Sequence, residues 1–146
     1  MCATDQYIVC LINGSKKTTE PDTLIAFYRN TTDASGNPVE QYSYAFHVTE
    51  TDYEHGNGMT YNPNTQEIAI AGLFTNDPSN KAAVFIVDAN TLKFKRKVTV
   101  GNGGLNYFGI DYVPENDQYV LMANQIADYA FIFTDGNFQI TDKLNL

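Results

Sequence analysis

The chain repeats itself, and this narrows its possible folds more than any other feature does. Gly58-Met-Thr-Tyr-Asn-Pro-Asn-Thr-Gln-Glu-Ile-Ala-Ile70 returns as Gly109-Ile-Asp-Tyr-Val-Pro-Glu-Asn-Asp-Gln-Tyr-Val-Leu121, a shift of 51 positions that keeps Gly, Tyr and Pro in place. Asp5-Gln-Tyr-Ile-Val9 echoes Asp117-Gln-Tyr-Val-Leu121, so the unit occurs a third time at the start. A repeat of this period means one supersecondary unit stacked several times, each copy burying its faces against its neighbours.

Period-2 alternation of apolar residues between turn clusters divides each copy into four short strands. In the middle copy they are expected over 58–62, 67–73, 82–88 and 94–100, and in the last over 108–113, 118–124, 129–134 and 138–145. The first copy gives 1–4, 7–12, 23–29 and 41–48. Turn chemistry recurs with them. Asn62-Pro-Asn-Thr and Val113-Pro-Glu-Asn-Asp join the first two strands, with Pro presetting φ. Asp88-Ala-Asn-Thr, Asp135-Gly-Asn and Asp33-Ala-Ser-Gly-Asn join the last two, where Asp bonds its own backbone and Gly supplies positive φ. One window dissents: Ile126, Tyr129, Ala130 and Phe133 have a helical spacing. Alignment with Val84-Phe-Ile-Val-Asp88 favours a strand there.

Composition agrees with an all-β domain. The 146 residues include 10 Tyr and 9 Phe, types that suit a pleated, half-buried surface. A net charge of −8 with only nine Lys and Arg excludes nucleic acid and anionic membrane as expected partners, because phosphate contacts need concentrated positive charge. No stretch approaches the ~20 apolar residues of a membrane helix. Met1 to Gln6 carry no signal-peptide pattern. The first strand begins in mid-motif, with Met1 where Met59 and Ile110 stand. The compartment is left open by the sequence, and a longer secreted or cell-surface parent, with further repeats or a leader ahead of Met1, is one reading. Cys2 and Cys10 lie on adjacent expected strands, either opposite each other and bridged or separately buried as small apolar side chains. Asn13-Gly-Ser15 and Asn30-Thr-Thr32 match the glycosylation pattern.

Four-strand units of this length, with x-Tyr-x-Pro-x-Asn/Thr-x-Glu/Gln-apolar followed by a strand ending near Val-Asp, resemble the blades of bacterial β-propellers of the quinoprotein-like or six-bladed class. The resemblance implies three antiparallel four-stranded blades, at about 1–48, 55–100 and 107–146. Closed propellers carry four to eight blades. Three are then either a piece of a longer propeller or half of a six-bladed ring, and the favoured expectation is that a homodimer completes the ring. A single sandwich or barrel would explain the alternation but not the repeat.

In a blade the first strand is innermost and the longer loops share one rim. His55 and Asn106 stand at equivalent positions, three before Gly58 and Gly109. With Asn57, Tyr107 and Asp111 they form the candidate ligand site at the channel mouth. Oxygen ligands there suit Ca²⁺, and His shifts preference towards transition metals. Glu50, Asp52 and Glu54 add negative potential, and Tyr53 and Tyr107 are the candidate surface aromatics. His47, alternating with Ser43 and Ala45 opposite Tyr42, Tyr44 and Phe46, reads as an ordinary outer-strand residue. Lys95, Arg96 and Lys97 read as edge-protecting charge. With no Gly-x-Ser-x-Gly elbow and two histidines, nucleophilic catalysis has little footing. The function expected is a non-catalytic binding or scaffold module, without a resident cofactor, that presents one rim to a protein, glycan or small ligand. The alternatives are a metal-assisted hydrolase at the channel mouth and an inactive assembly unit.

Overall fold

The computed structural model describes residues 1–14, 21–50, 55–72, 82–101, 105–125 and 128–146, and every described element is a strand, bridge or turn. Twelve strands form three four-stranded sheets, each a simple meander of antiparallel neighbours. The first sheet holds β1 (Cys2–Ala3), β2 (Tyr7–Ile12), β3 (Asp22–Tyr28) and β4 (Tyr44–Glu50). The second holds β5 (Gly56–Asn62), β6 (Glu67–Gly72), β7 (Ala83–Asp88) and β8 (Phe94–Thr99). The third holds β9 (Asn106–Val113), β10 (Gln118–Gln125), β11 (Asp128–Asp135) and β12 (Ile140–Asn145). The window with helical spacing is thus a strand from Asp128 onward, paired in register with β10.

Backbone detail repeats along with sequence. Gln66 and Asp117, 51 positions apart, both take left-handed φ at the end of the Pro turn, at 54° and 50°. Tyr42, Leu92 and Phe138 do the same two residues ahead of the first outer-strand residue, at 65°, 56° and 63°. Each sheet also carries a bulge between its last two strands, at Ala26/Phe27, Ile86/Val87 and Phe133/Thr134. A bulge adds a residue and shifts side-chain parity beyond it. In β4 the bulge at Ala45 brings Tyr44 and His47 to one face, with Tyr44 Oη 2.7 Å from His47 Nδ1. The strict alternation that put them on opposite faces fails at that bulge.

The sheets stack as layers with the second in the middle, and its side chains divide by parity. Ile68, Ile70, Phe85 and Val87 pack back against Val9, Leu24 and Ala26 of the first sheet. Ala69, Ala71, Val84 and Ile86 pack forward against Tyr119, Leu121, Ile132 and their neighbours in the third. Burial on both faces explains why β6 and β7 are apolar nearly throughout.

The first strands meet at the inner edge. β5 and β9 run parallel, so Gly58 and Gly109 lie side by side. A Cβ on Gly58 would stand 2.9 Å from Gly109 Cα and 3.0 Å from Ile110 N, against backbone that cannot give way. Gly58→Ala is expected to cost about 2 kcal/mol by overpacking. Gly109→Ala, whose Cβ meets Met122 Cβ at 3.3 Å, should cost clearly less. Urea-unfolding midpoints test this, and equal midpoints for Gly58→Ala and wild type would refute the close approach.

At the outer edge the basic run is partly turned inward. Arg96 donates to both Glu67 carboxylate oxygens at 2.6 and 2.9 Å, and Lys95 Nζ lies 2.6 Å from Oε1. Burial alone pushes the Glu67 carboxyl up, but these bonds and charges together outweigh it and hold it below the usual value. Lys95 and Arg96 therefore tie β8 to β6 as well as charging an edge.

The first sheet also corrects the sequence alignment. Its first turn is shorter, with Thr4 N–H donating to the Tyr7 carbonyl at 2.8 Å. Tyr7 pairs with Tyr28 as Glu67 pairs with Asp88 and Gln118 with Asp135. Tyr7 therefore occupies the place of Gln118, and the Asp-Gln-Tyr echo is one residue out of register. One residue decides which face a side chain takes. Cys2 pairs with Val9, so Cys10 points to the opposite side of the sheet, and both thiols are free.

Candidate functional site

His55, Asn57 and Asn106 start the inner strands at one end of the molecule, and each of the first two is held by a specific bond. Asn13 Nδ2 donates to the Gly56 carbonyl and lies 3.1 Å from His55 Nδ1, which orients the half-buried imidazole. Exposed Asn57 donates to the Phe108 carbonyl at 2.6 Å. Phe108 is the extra residue of the bulge at Met122/Ala123, and Asn57 sits in the matching bulge of β5. Asn106 is the half-buried first residue of β9, opposite Asn124 in the ladder.

The other two expected residues lie elsewhere. Asp111 stands five residues further along β9, about 16 Å at the usual strand rise. There it accepts the Thr60 hydroxyl at 3.1 Å and its own neighbour's Tyr112 N–H at 2.9 Å. Tyr107 is fully buried between the second and third sheets, its hydroxyl donating to the Val100 carbonyl at 3.1 Å. Burial pushes that phenol up to about 12. A ring enclosed in this way cannot serve as a surface anchor, so Tyr107 belongs to the core. Tyr53, Asp52 and Glu54 fall outside the described residues.

The five residues thus do not converge on one point. Among the described residues no group of three or more His, Cys, Asp or Glu side chains is placed to hold a metal ion.

A carboxylate that the sequence reading passed over joins the first two sheets at this end. Asp22, with no exposed surface, accepts Gly56 N–H at 2.7 Å and Gly14 N–H at 2.9 Å. Burial raises its carboxyl above the ordinary range, while those two N–H bonds and the His55 charge pull it down without cancelling the rise. The available signal was a lone Asp opening an apolar run, Asp22-Thr-Leu-Ile-Ala-Phe-Tyr28, where the second copy has Ala82. Beside it, Ile12, Asn13, Gly14, Pro21, Thr23 and Thr49 line an open concavity of about 320 Å³.

At the opposite end the repeated Tyr does the joining. Tyr61 Oη donates to Asp5 of the first sheet at 2.8 Å. Its equivalent Tyr112 donates to Asp117 at 2.7 Å and accepts from Asn64 of the second sheet at 2.8 Å. Asn62 donates to the buried Tyr119 hydroxyl at 2.9 Å. In the second and third sheets the Tyr of the repeat is therefore a stitch to the turn of the sheet before it.

Three four-stranded meanders that meet along their first strands define an arc of propeller-like blades. Solved structures agree. The chain matches an acylaminoacyl peptidase in complex with a chloromethyl ketone at TM-score 0.58 and 10% identity, over 99% of this chain and 24% of that one. It matches hydrazine synthase from Kuenenia stuttgartiensis at 0.55 and 9%, over 85% and 34%. A member of the DUF4221 family from Bacteroides vulgatus matches at 0.54 and 12%, over 99% and 50%. The chain thus spans between a quarter and a half of the length of these structures, and at such identities the likeness shows the fold alone. No protein-family model and no curated protein sequence matches the chain.

Proposed function

We propose that the chain is a non-catalytic binding or scaffold module of the six-bladed, quinoprotein-like class, presenting the rim at the start of its inner strands to a protein, glycan or small ligand. The observation that carries this reading is what the described polar groups near the inner strands do. Asn13, Asp22, Asn57, Thr60 and Asp111 each bond across from one blade to the next. Groups committed to holding blades in register suit a rigid platform. The loops that enter and leave these strands then supply the variable surface.

Hydrolysis of p-nitrophenyl acetate, p-nitrophenyl phosphate and a peptide p-nitroanilide, with and without added Ca²⁺ or Zn²⁺, tests the reading against a hydrolase. Rates equal to buffer, unchanged in His55→Ala, are expected. A metal-dependent rate abolished by His55→Ala would overturn it.

A further inference from the structure

The outer faces of the first and third sheets are built like inner ones. Val120, Met122, Phe131 and Phe133 point out of the third sheet, in the same two cross-strand pairs that Ala69, Ile86, Ala71 and Val84 form in the second. Those four second-sheet residues are at most 1% exposed because the third sheet covers them. Met122 is 36% exposed, and Val120, Phe131 and Phe133 are half-buried.

The first sheet shows the converse. Ile8, Cys10, Ile25 and Phe27 occupy the places of Ile68, Ile70, Phe85 and Val87, which the first sheet covers in the second. In the first sheet they face outward and are half-buried, with Ile12 beside them 53% exposed. An apolar face continuing at interior positions, with no described residue over it, marks an interaction surface.

We infer that a second copy of this chain covers both faces at once, the forward face of its third sheet docking on the backward face of the first, so that two chains close a six-bladed ring. The two free faces are of opposite kind, and their pairing is the one already made twice within the chain. Two forward faces pressed together would have no such precedent. Two identical head-to-tail junctions related by a two-fold axis leave no face over and give a blade number within the closed range.

Polar groups fit the same register. Asp111 pairs with Val120 as Thr60 pairs with Ala69 and Cys2 with Val9. Thr60 Oγ1 accepts the Tyr112 N–H of the following blade at 3.1 Å. At the new junction the Asp111 carboxylate is the corresponding acceptor, and the N–H at the Tyr112 position is that of the other copy's Ala3. The inference is independent of what the rim binds.

Light scattering on a size-exclusion column should give twice 16.3 kDa. Met122→Asp and Ile8→Asp each place a charge on one outward face, and each alone spoils both junctions and should yield the 16.3 kDa monomer. Mixing the two variants restores one intact junction and should return a dimer, whereas an interface using one face twice would leave one variant dimeric. Should either variant fail to fold, labelling of wild-type Cys10 by a thiol reagent replaces it, with Cys10→Ser as the blank. Burial pushes the Cys2 thiol up to about 12, and the Cys10→Ser blank subtracts whatever label Cys2 takes. The Cys10 labelling rate should fall as protein concentration rises. A monomer at every concentration, a dimer that survives either variant alone, a larger closed assembly or a concentration-independent labelling rate would each overturn the inference.

Discussion

Asp22→Ala is expected to lower stability by about 3 kcal/mol, since it strips the acceptor from the N–H groups of Gly56 and Gly14 at a buried junction. Urea unfolding measures it, and a loss within error of zero would show that water replaces the carboxylate. Asp22→Asn isolates the charge. Burial raises the Asp22 carboxyl above its ordinary 3.8, so the folded chain holds this proton longer than the unfolded chain does. Stability contributed by such a group is complete below 3.8 and is lost as pH rises through the raised folded value. The stability advantage of wild type over Asp22→Asn should therefore shrink from acid to neutral pH. An advantage that grew instead would mean that the N–H bonds favour the charged form outright.

The second large effect is expected at Phe85. Its ring is fully buried between the first and second sheets and lies against Gly72, where an added Cβ would come within 2.7 Å of Cε2. Phe85→Ala should cost about 4 kcal/mol, combining lost burial with a cavity the flanking sheets cannot close. Ile25 holds the equivalent position on the uncovered face of the first sheet. Ile25→Ala should cost about 1 kcal/mol in the isolated chain, as a half-exposed aliphatic residue has less burial to lose. Thermal unfolding of both variants at low protein concentration checks the contrast. Equal losses would mean that the two faces are packed alike within one chain.

The strands were legible because local rules agree at nearly every position. Period-2 alternation, Pro in the first turn and Asp in the last place all twelve strands, and a shift of 51 residues ties the second and third sheets together. Where one extra or missing residue intervenes, those rules lose parity. The short turn at Thr4 to Tyr7 moves the first sheet out of step with its own sequence echo. The bulge at Ala45 puts His47 on the same face as Tyr44. Neither event leaves a composition signal, because a bulge is chosen by the partner strand.

The candidate site was less legible for a related reason. Equivalent positions in the repeat place His55 and Asn106 at the start of neighbouring inner strands. The repeat could not reveal that Tyr107 turns into the core while its equivalent Gly56 sits under Asp22. The two junctions fill the same space by different means, one with a ring and the other with a buried carboxylate.

By itself the sequence determined the unit, its strands, its turns and the stacking of three copies, since these follow from periodicity and backbone preference within a few residues of chain. Only the tertiary structure decided which face of each strand is covered and which polar groups join the blades. Those outcomes depend on contacts across 30 to 60 residues of chain, where a neighbouring sheet sets the environment of each side chain.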